Sequence, residues 1–142
     1  MSQTPAGYHT VTPYLVVEDI EALIAFLKDA FGAEEHERVP GPDGVTRHAE
    51  VRIGDSVVMM GAAQEGYPAM PAALYMYVED TDATYASALG AGAESIMEPA
   101  DQFYGDRNAG VRDSQGNTWW IATRVEDLTR EELRKRAQTA QH

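Results

Sequence analysis

The residues best suited to chemistry are His48 and Glu50, which stand two positions apart in the run Thr-Arg-His-Ala-Glu-Val-Arg-Ile. Alternate side chains of a β-strand point to the same face and lie roughly 7 Å apart along it, so these two can share a ligand without touching. A carboxylate near an imidazole raises the pKa of the imidazole, and such a pair can relay a proton. We therefore predict His48 and Glu50 as catalytic candidates. The competing interpretation is a pair of half-exposed strand residues bonded to neighbours or water, and a new metal site on them lacks an evident third ligand.

The composition excludes several classes of function. The chain has 142 residues, a formal net charge of −12 and no cysteine. Without cysteine there is no disulfide framework, thiolate metal site or cysteine nucleophile. The negative charge argues against binding nucleic acid, whose phosphates are contacted through Lys and Arg, and it leaves room for a cationic ligand. The chain has neither a run of roughly 18 apolar residues nor a secretory signal at its start, so we expect a cytoplasmic protein that does not bind membranes.

An internal repeat organises the chain. Five segments of the first half recur in the same order about 60 residues later. The clearest pair is Tyr-Leu-Val-Val-Glu-Asp, which begins at Tyr14, and Tyr-Met-Tyr-Val-Glu-Asp, which begins at Tyr75. The agreement predicts one domain over residues 1–142, with modules at 8–60 and 73–123, a linker at 61–72 and a C-terminal helical extension at 124–142.

Each module is predicted to fold as a strand, a helix and three further strands. In the first module, β-branched and aromatic residues indicate a strand at 11–17. Asp19 is then suited to cap a helix, whose apolar stripe begins at Leu23 and which Gly32 ends. Three strands follow, and Gly54 marks a tight turn between the last two. These strands are predicted at 35–39, 46–53 and 56–60.

The second module repeats this order. A strand is predicted at 73–78, with Asp80 as the helix cap, and the helix and last three strands at 83–89, 94–97, 109–112 and 118–123. The C-terminal helix is indicated by a capping box, in which Thr129 and Glu132 each bond to the backbone of the other.

These segments resemble the vicinal oxygen chelate superfamily of glyoxalases, bleomycin-resistance proteins and extradiol dioxygenases, and most closely its PhnB-like branch. The matching segments are 12–19, 31–33, 48–56, 111–116, 119–123 and, most distinctively, Asp-Gln-Phe-Tyr-Gly-Asp-Arg at 101–107. The sequence departs from the family pattern at Ser114 and at Asn108-Ala109. The resemblance implies an α+β fold of two tandem βαβββ modules that form a curled mixed sheet around a cleft. It also implies helices on the outside and a homodimer.

The resemblance also identifies where metal-dependent members hold their ion. Four equivalent positions, in the first and last strand of each module, correspond here to Thr12, Ala73, Val58 and Trp120. A catalytic divalent site needs about three ligands from His, Asp, Glu or Cys. These four residues offer none, so we predict no metal ligands and no cofactor.

The lining of the cleft follows from the family frame and from the alternation of strand side chains. In the strand at 46–53, His48, Glu50 and Arg52 are expected to face the cleft. Aromatic residues would supply apolar area with a polar end, although plain core is the competing interpretation for them. The predicted ligand-binding residues are Thr12, Tyr14, Arg52, Val58, Met60, Tyr75, Tyr77, Tyr104, Arg107, Arg112 and Trp120. Arg107 could equally cap a strand end or pair with Asp101 or Asp106.

Three functions remain open at this point. The first is binding of a small aromatic or cationic molecule without chemistry, as in bleomycin-resistance relatives. The alternative is a lyase, isomerase or dioxygenase of the same superfamily, which would use a relocated divalent metal or the His48/Glu50 pair. The third is a structural dimer that binds no ligand.

Overall fold

The protein contains the βαβββ unit twice in a computed structural model that describes residues 3–140. The first module consists of β1 (Tyr14–Val17), α1 (Ile20–Phe31), β2 (Glu34–Pro40), β3 (Thr46–Ile53) and β4 (Ser56–Ala62). The second consists of β5 (Ala73–Tyr77), α2 (Thr81–Gly90), β6 (Glu94–Asp101), β7 (Asp106–Arg112) and β8 (Thr118–Arg124), and α3 (Arg130–Thr139) follows it. The α+β architecture predicted from the repeat is confirmed.

Each module forms its own four-stranded mixed sheet. The strand orders are β1-β4-β3-β2 and β5-β8-β7-β6, with β1 parallel to β4 and β5 parallel to β8. One face of each sheet packs on the helices, and α1 packs against α2. We call the opposite faces the cleft faces. The first cleft face carries Tyr14, His48, Glu50, Arg52, Val57 and Met59, and the second carries Tyr75, Tyr77, Asp106, Asn108, Gly110, Arg112, Trp120 and Arg124.

The hydrophobic core lies between the helices and the inner sheet faces. Asp19 caps α1 by accepting a hydrogen bond from the backbone N–H of Ala22, and Gly32 ends the helix in the left-handed conformation at φ 67°. Leu27 of α1 is fully buried in the same cluster as Trp119 of the second module. Burial of an aliphatic side chain of this size contributes about 1.5–3 kcal/mol. A single core therefore spans both modules and fixes both sheets from behind.

The hairpin between β3 and β4 corrects one prediction. Val58 and Met60 lie in the core, 4% and 0% exposed, and not in the cleft. Met59 faces the cleft instead. Met59 pairs with Tyr14 and Glu50. Trp120 occupies the equivalent place in the second module, where it pairs with Tyr75 and Gly110.

The error arose from counting along both last strands from a glycine. Ser56, two residues after Gly54, pairs with Ile53 on the core face, whereas Thr118, two residues after Gly116, pairs with Arg112 on the cleft face. The two turns therefore deliver the chain to their last strands in different register. A shift of one residue turns every side chain of a strand to the opposite face.

The C-terminal helix is shorter than the predicted 124–142. Strand β8 continues to Arg124, and α3 begins after Thr129, where the predicted capping box with Glu132 is present. Helix α3 has no buried residue, and Arg136 ties it to Glu126 and to the carbonyl of Phe103. Residues 141 and 142 lie outside the described range. Within that range, every helix is too short or too polar to cross a bilayer.

Candidate functional site on the two cleft faces

On the first cleft face, His48 and Glu50 form a hydrogen-bonded pair. His48 Nε2 lies 2.9 Å from Glu50 Oε2. Glu50 is 7% exposed, and its Oε1 accepts a second hydrogen bond from the Tyr8 hydroxyl. The ring of Tyr14 lies beside the imidazole, with 5.8 Å between ring centroids. The two residues predicted to share a face are thus in direct contact, and Tyr8 joins them.

The protonation of this pair follows from its partners. Burial alone would raise the pKa of Glu50, but the hydrogen bonds from Tyr8 and His48 outweigh it and hold that pKa below its ordinary value. The hydrogen bond to Glu50 raises the pKa of Tyr8. An ionised carboxylate only accepts hydrogen bonds, so Nε2 of His48 carries the hydrogen. This bond turns Nδ1 of the ring away from Glu50.

The segment before β1 covers part of the first cleft face. The backbone of Gly7 lies so close to Arg52 that a Cβ at this position would be 2.7 Å from Nη2 of the guanidinium. Val57 is only 3% exposed, although it faces away from the core. Thr12 belongs to the segment itself and donates its hydroxyl hydrogen to the carbonyl of His9. Arg52 therefore contacts this segment at the first cleft face, and Thr12 is part of the segment.

On the second cleft face, the buried carboxylate of Asp106 binds three neighbours. It is 2% exposed. Its Oδ2 accepts hydrogen bonds from the hydroxyls of Tyr75 at 2.6 Å and Tyr77 at 3.0 Å. Its Oδ1 accepts one from Nε of Arg124 at 2.7 Å. Burial alone would raise the pKa of Asp106, but the hydrogen bonds from Tyr75, Arg124 and Tyr77 hold it below its ordinary value.

Asn108 stands beside this carboxylate, 2% exposed. Its Nδ2 donates to the hydroxyl of Tyr104 at 2.6 Å and to that of Tyr75 at 3.2 Å. Burial and the bond to Asp106 raise the pKa of Tyr75 well above its ordinary value, so this hydroxyl stays protonated. Within residues 3–140, the carbonyl oxygen of Asn108 is the one buried side-chain nitrogen or oxygen without a hydrogen-bond partner.

These residues border a cavity of about 240 Å³ on the second cleft face. The indole of Trp120 lies across Gly110, where a Cβ would collide with the ring, so the glycine permits the flat placement of the indole. Tyr14 lies across Gly61 on the first face in the same way. The cavity is lined by Tyr75, Met97, Gln102, Tyr104, Asn108 and Trp120.

The structure separates the two predicted arginines of β7. Arg112 is exposed and lies on the cleft face, opposite Thr118. Arg107 does not reach the cleft: its guanidinium binds Asp82 of α2 and Asp101 on the helix side of the sheet. Arg107 therefore does not line the cleft, because it alternates with Asp106 and Asn108 along the strand. Its pairing with Asp101 is one of the alternatives that the sequence leaves open.

The comparisons with known proteins begin with a family model. The model of the Glyoxalase/Bleomycin resistance protein/Dioxygenase superfamily matches residues 8–121. The chain belongs to this superfamily. It is also 34% identical to the uncharacterised protein Mb0911c of Mycobacterium bovis, over 87% of this chain and 88% of that protein. The match to the superfamily confirms the resemblance found in the sequence, while the PhnB-like branch stays a prediction.

Solved structures of the superfamily share the fold. TioX from Micromonospora sp. ML1 superimposes with a TM-score of 0.72 at 24% identity, covering 82% of this chain and 99% of TioX. A lactoylglutathione lyase from Agrobacterium tumefaciens gives 0.65 at 18% identity, covering 81% of this chain and 92% of the lyase.

The residues at the superfamily's metal positions do not fit a divalent ion. The corrected register puts Met59 in place of Val58, so the four side chains are those of Thr12, Ala73, Met59 and Trp120. They offer a hydroxyl, a methyl group, a thioether and an indole, where a catalytic ion needs about three imidazole, carboxylate or thiolate ligands. Within residues 3–140, no three His, Asp or Glu side chains gather in a group that could hold an ion elsewhere.

Sequence reasoning missed Tyr8, Asp106 and Arg124 as parts of the two sites. Tyr8 lies in an irregular segment outside the strand repeat, so no periodicity indicates which strand it approaches. The alternation along β7 does carry a signal for Asp106, since it places this acid on the same face as Asn108. Its partner Arg124 was assigned to the C-terminal helix and not to the end of β8.

The buried carboxylate makes the stability of this superfamily member depend on pH. Because the folded pKa of Asp106 is lowered, its contribution is complete above its unfolded pKa of about 3.9 and is lost as the pH falls through the folded pKa. When the pH is lowered from 6 to 3, the free energy of unfolding should therefore fall less in Asp106→Asn than in the wild type. Urea unfolding across that range measures this. The exposed Asp29→Asn is the control, and identical pH slopes for Asp106→Asn and the wild type would contradict the assignment.

Proposed function

We propose that this protein binds a small aromatic or cationic molecule in its cleft without a metal ion. The observation that carries the proposal is the second cleft face, where Tyr75, Tyr104 and Trp120 border a cavity of about 240 Å³. The poor fit of the metal positions to a divalent ion supports binding without metal chemistry.

The chemistry of this face suits a planar ligand. Aromatic walls give large apolar contact area at low entropic cost, and burying each against a ligand is worth about 1–3 kcal/mol. Arg124 already pairs with Asp106, so the negative charge of this carboxylate is balanced and attracts a cationic ligand only weakly. The net charge of −12 still attracts cations to the protein as a whole. We therefore rank an aromatic ring first and a positive charge on it second.

The test combines metal analysis with a thermal-shift screen. Freshly purified protein should contain no stoichiometric Zn, Ni, Mn or Fe. A library of aromatic and cationic compounds should contain ligands that raise the melting temperature. A ligand at a hundred times its Kd adds about 2.7 kcal/mol, which is about 5–10 °C for a chain of this size.

Trp120→Ala should abolish the shift caused by such a ligand, whereas Tyr85→Phe on α2 should keep it, because the Tyr85 hydroxyl bonds to Ser95 away from the cleft. Stoichiometric metal in the purified protein, or a library without any stabilising compound, would contradict the proposal.

A second candidate is an enzyme that uses His48 and Glu50. It is favoured by one observation: Glu50 is ionised and buried and holds Nε2 of His48, which leaves Nδ1 as a base. Such a base could move a proton on a bound carbonyl compound. Lactoylglutathione is a suitable first probe, since a solved relative of the same fold is named for it. Consumption of lactoylglutathione by the wild type, and not by His48→Ala, would favour this candidate. If neither protein consumes lactoylglutathione, this substrate is excluded.

We also propose a cytoplasmic homodimer, as the superfamily resemblance implies. Strand β5 is an edge strand, and its Tyr75 and Tyr77 are 44% and 58% exposed in the single chain. A second copy could cover such an edge, since unpaired strand edges invite pairing. Light scattering coupled to gel filtration should give twice the mass of 15.6 kDa.

A further inference from the structure

The unpaired carbonyl oxygen of Asn108 indicates what the ligand must carry. Buried polar side-chain atoms are nearly always hydrogen-bonded in folded proteins, so an exception at a cavity wall points to a missing partner. Asn108 is 2% exposed, lines the cavity of the second cleft face, and has no partner for Oδ1.

The orientation of this amide follows from the hydrogen-bond network. The hydroxyl of Tyr75 has one hydrogen, and the ionised carboxylate of Asp106 can only accept it, at 2.6 Å. Tyr75 can therefore only accept from Asn108, which requires the NH₂ group on that side. The same group donates to Tyr104. Turning the amide over would let the hydroxyl of Tyr104 donate to the amide oxygen, but it would set that oxygen against a Tyr75 oxygen that has no hydrogen left to give. It would also put the NH₂ group, with its two donors, where no partner lies, so the carbonyl is the free end.

We propose that the cavity binds a neutral aromatic ring with an O–H or N–H group, as in a phenol or an aromatic amine, and that this group donates to Asn108 Oδ1. The proposal rests on the proposed function and deepens it. Trp120 and Tyr104 provide the ring contacts, and Asn108 provides the acceptor. The cavity of about 240 Å³ is smaller than the roughly 300 Å³ at the lower end of drug-sized sites, so it holds a single ring or the ring terminus of a longer molecule.

Neutrality follows from the charges around the cavity. The carboxylate of Asp106, which binds the cavity-lining Tyr75, also accepts from Tyr77 and Arg124 and has its charge balanced by that guanidinium. An amide oxygen is a neutral acceptor, and a full positive charge that gives up water without gaining a counter-ion is costly. A neutral donor therefore fits where a cation does not.

A matched pair of probes tests this in the wild-type protein. Para-cresol and its methyl ether differ at one position, where the ether has a methyl group in place of the hydroxyl hydrogen. NMR titration, followed through the indole N–H signal of Trp120, should give a Kd for para-cresol at least about tenfold lower than for the ether. In Asn108→Leu this preference should fall to about one, while Tyr85→Phe should keep it.

The outcomes separate the two proposals. Equal binding of both probes to the wild type would overturn the donor assignment and leave the proposed function intact. If neither probe binds but the screen finds aromatic ligands, the donor assignment is likewise overturned and the proposed function is left intact. A screen without ligands would remove both proposals. If Asn108→Leu fails to fold, the ratio measured on the wild type decides alone.

Discussion

Replacing Asp106 with alanine is expected to lower the free energy of unfolding by about 2–4 kcal/mol. The substitution removes the common acceptor of Tyr75, Tyr77 and Arg124 on the second cleft face. Breaking a fully buried ion pair costs about 3–5 kcal/mol because it leaves one charge unpaired. The side chain of Arg124 is 48% exposed and can turn to water, which reduces the loss. The two hydroxyls and the empty volume account for the remainder.

Asp127, the other acidic residue that contacts Arg124, provides the control. Asp127 contacts Nη1 of Arg124 at 3.4 Å and is 94% exposed, so Asp127→Ala should cost less than about 1 kcal/mol. Urea unfolding at neutral pH, monitored by circular dichroism, measures both variants. If Asp106→Ala and Asp127→Ala lower the free energy of unfolding by similar amounts, the carboxylate of Asp106 is not the centre of the network. Asp106→Ala should also weaken binding of para-cresol, because Tyr75 loses the partner that orients it.

Truncation of the two adjacent tryptophans is expected to lower the free energy of unfolding by different amounts. Trp119→Ala should lower the free energy of unfolding by about 3–5 kcal/mol, since this side chain is 2% exposed in the shared core and its removal leaves a large cavity. Its indole N–H also donates to Asp113 at 2.8 Å, and that bond is lost. Trp120 is only half-buried on the cleft face, so Trp120→Ala should cost about 1–2 kcal/mol.

Ligand binding separates the same two residues. Trp120→Ala should abolish the response to para-cresol, while Trp119→Phe, which keeps the core aromatic, should leave the Kd within about twofold. Because both substitutions affect fluorescence, unfolding is best followed by circular dichroism and binding by ligand-observed NMR. If Trp120→Ala destabilises the protein as much as Trp119→Ala, the indole of Trp120 belongs to the core and the cleft assignment fails.

Much of the architecture could be read from local patterns. The helix caps at Asp19 and Asp80 and the capping box of Thr129 depend on contacts within a few residues, so the sequence contains all the information they need. The shared face of His48 and Glu50 follows from strand alternation alone. The cleft residues of the second module, such as Tyr75 and Trp120, were placed on the correct face by the family frame together with this alternation.

The failures occurred where a local pattern had to be carried across a turn or into a loop. Val58 and Met60 were assigned to the wrong face because the two hairpin turns deliver their last strands in different register. Arg107 was assigned to the cleft from its place in a distinctive motif, but its partner Asp82 lies on a helix of the same module. No short-range pattern reports the register across a turn, whereas the alternation along β7 does place Arg107 on the face opposite Asp106 and Asn108.

The amino-acid sequence by itself determined the duplicated module, the helix caps and the lack of strong ligands at three of the four metal positions, because these depend on residue type and on spacing within one element. Only the tertiary structure decided that Tyr8 reaches Glu50, that Asp106 gathers three donors, and that the amide oxygen of Asn108 is left without one. Each of those facts depends on side chains from separate segments, and their distances are fixed by how the sheets twist and pack. The proposed ligand therefore rests on an unpaired amide oxygen that no sequence pattern indicates.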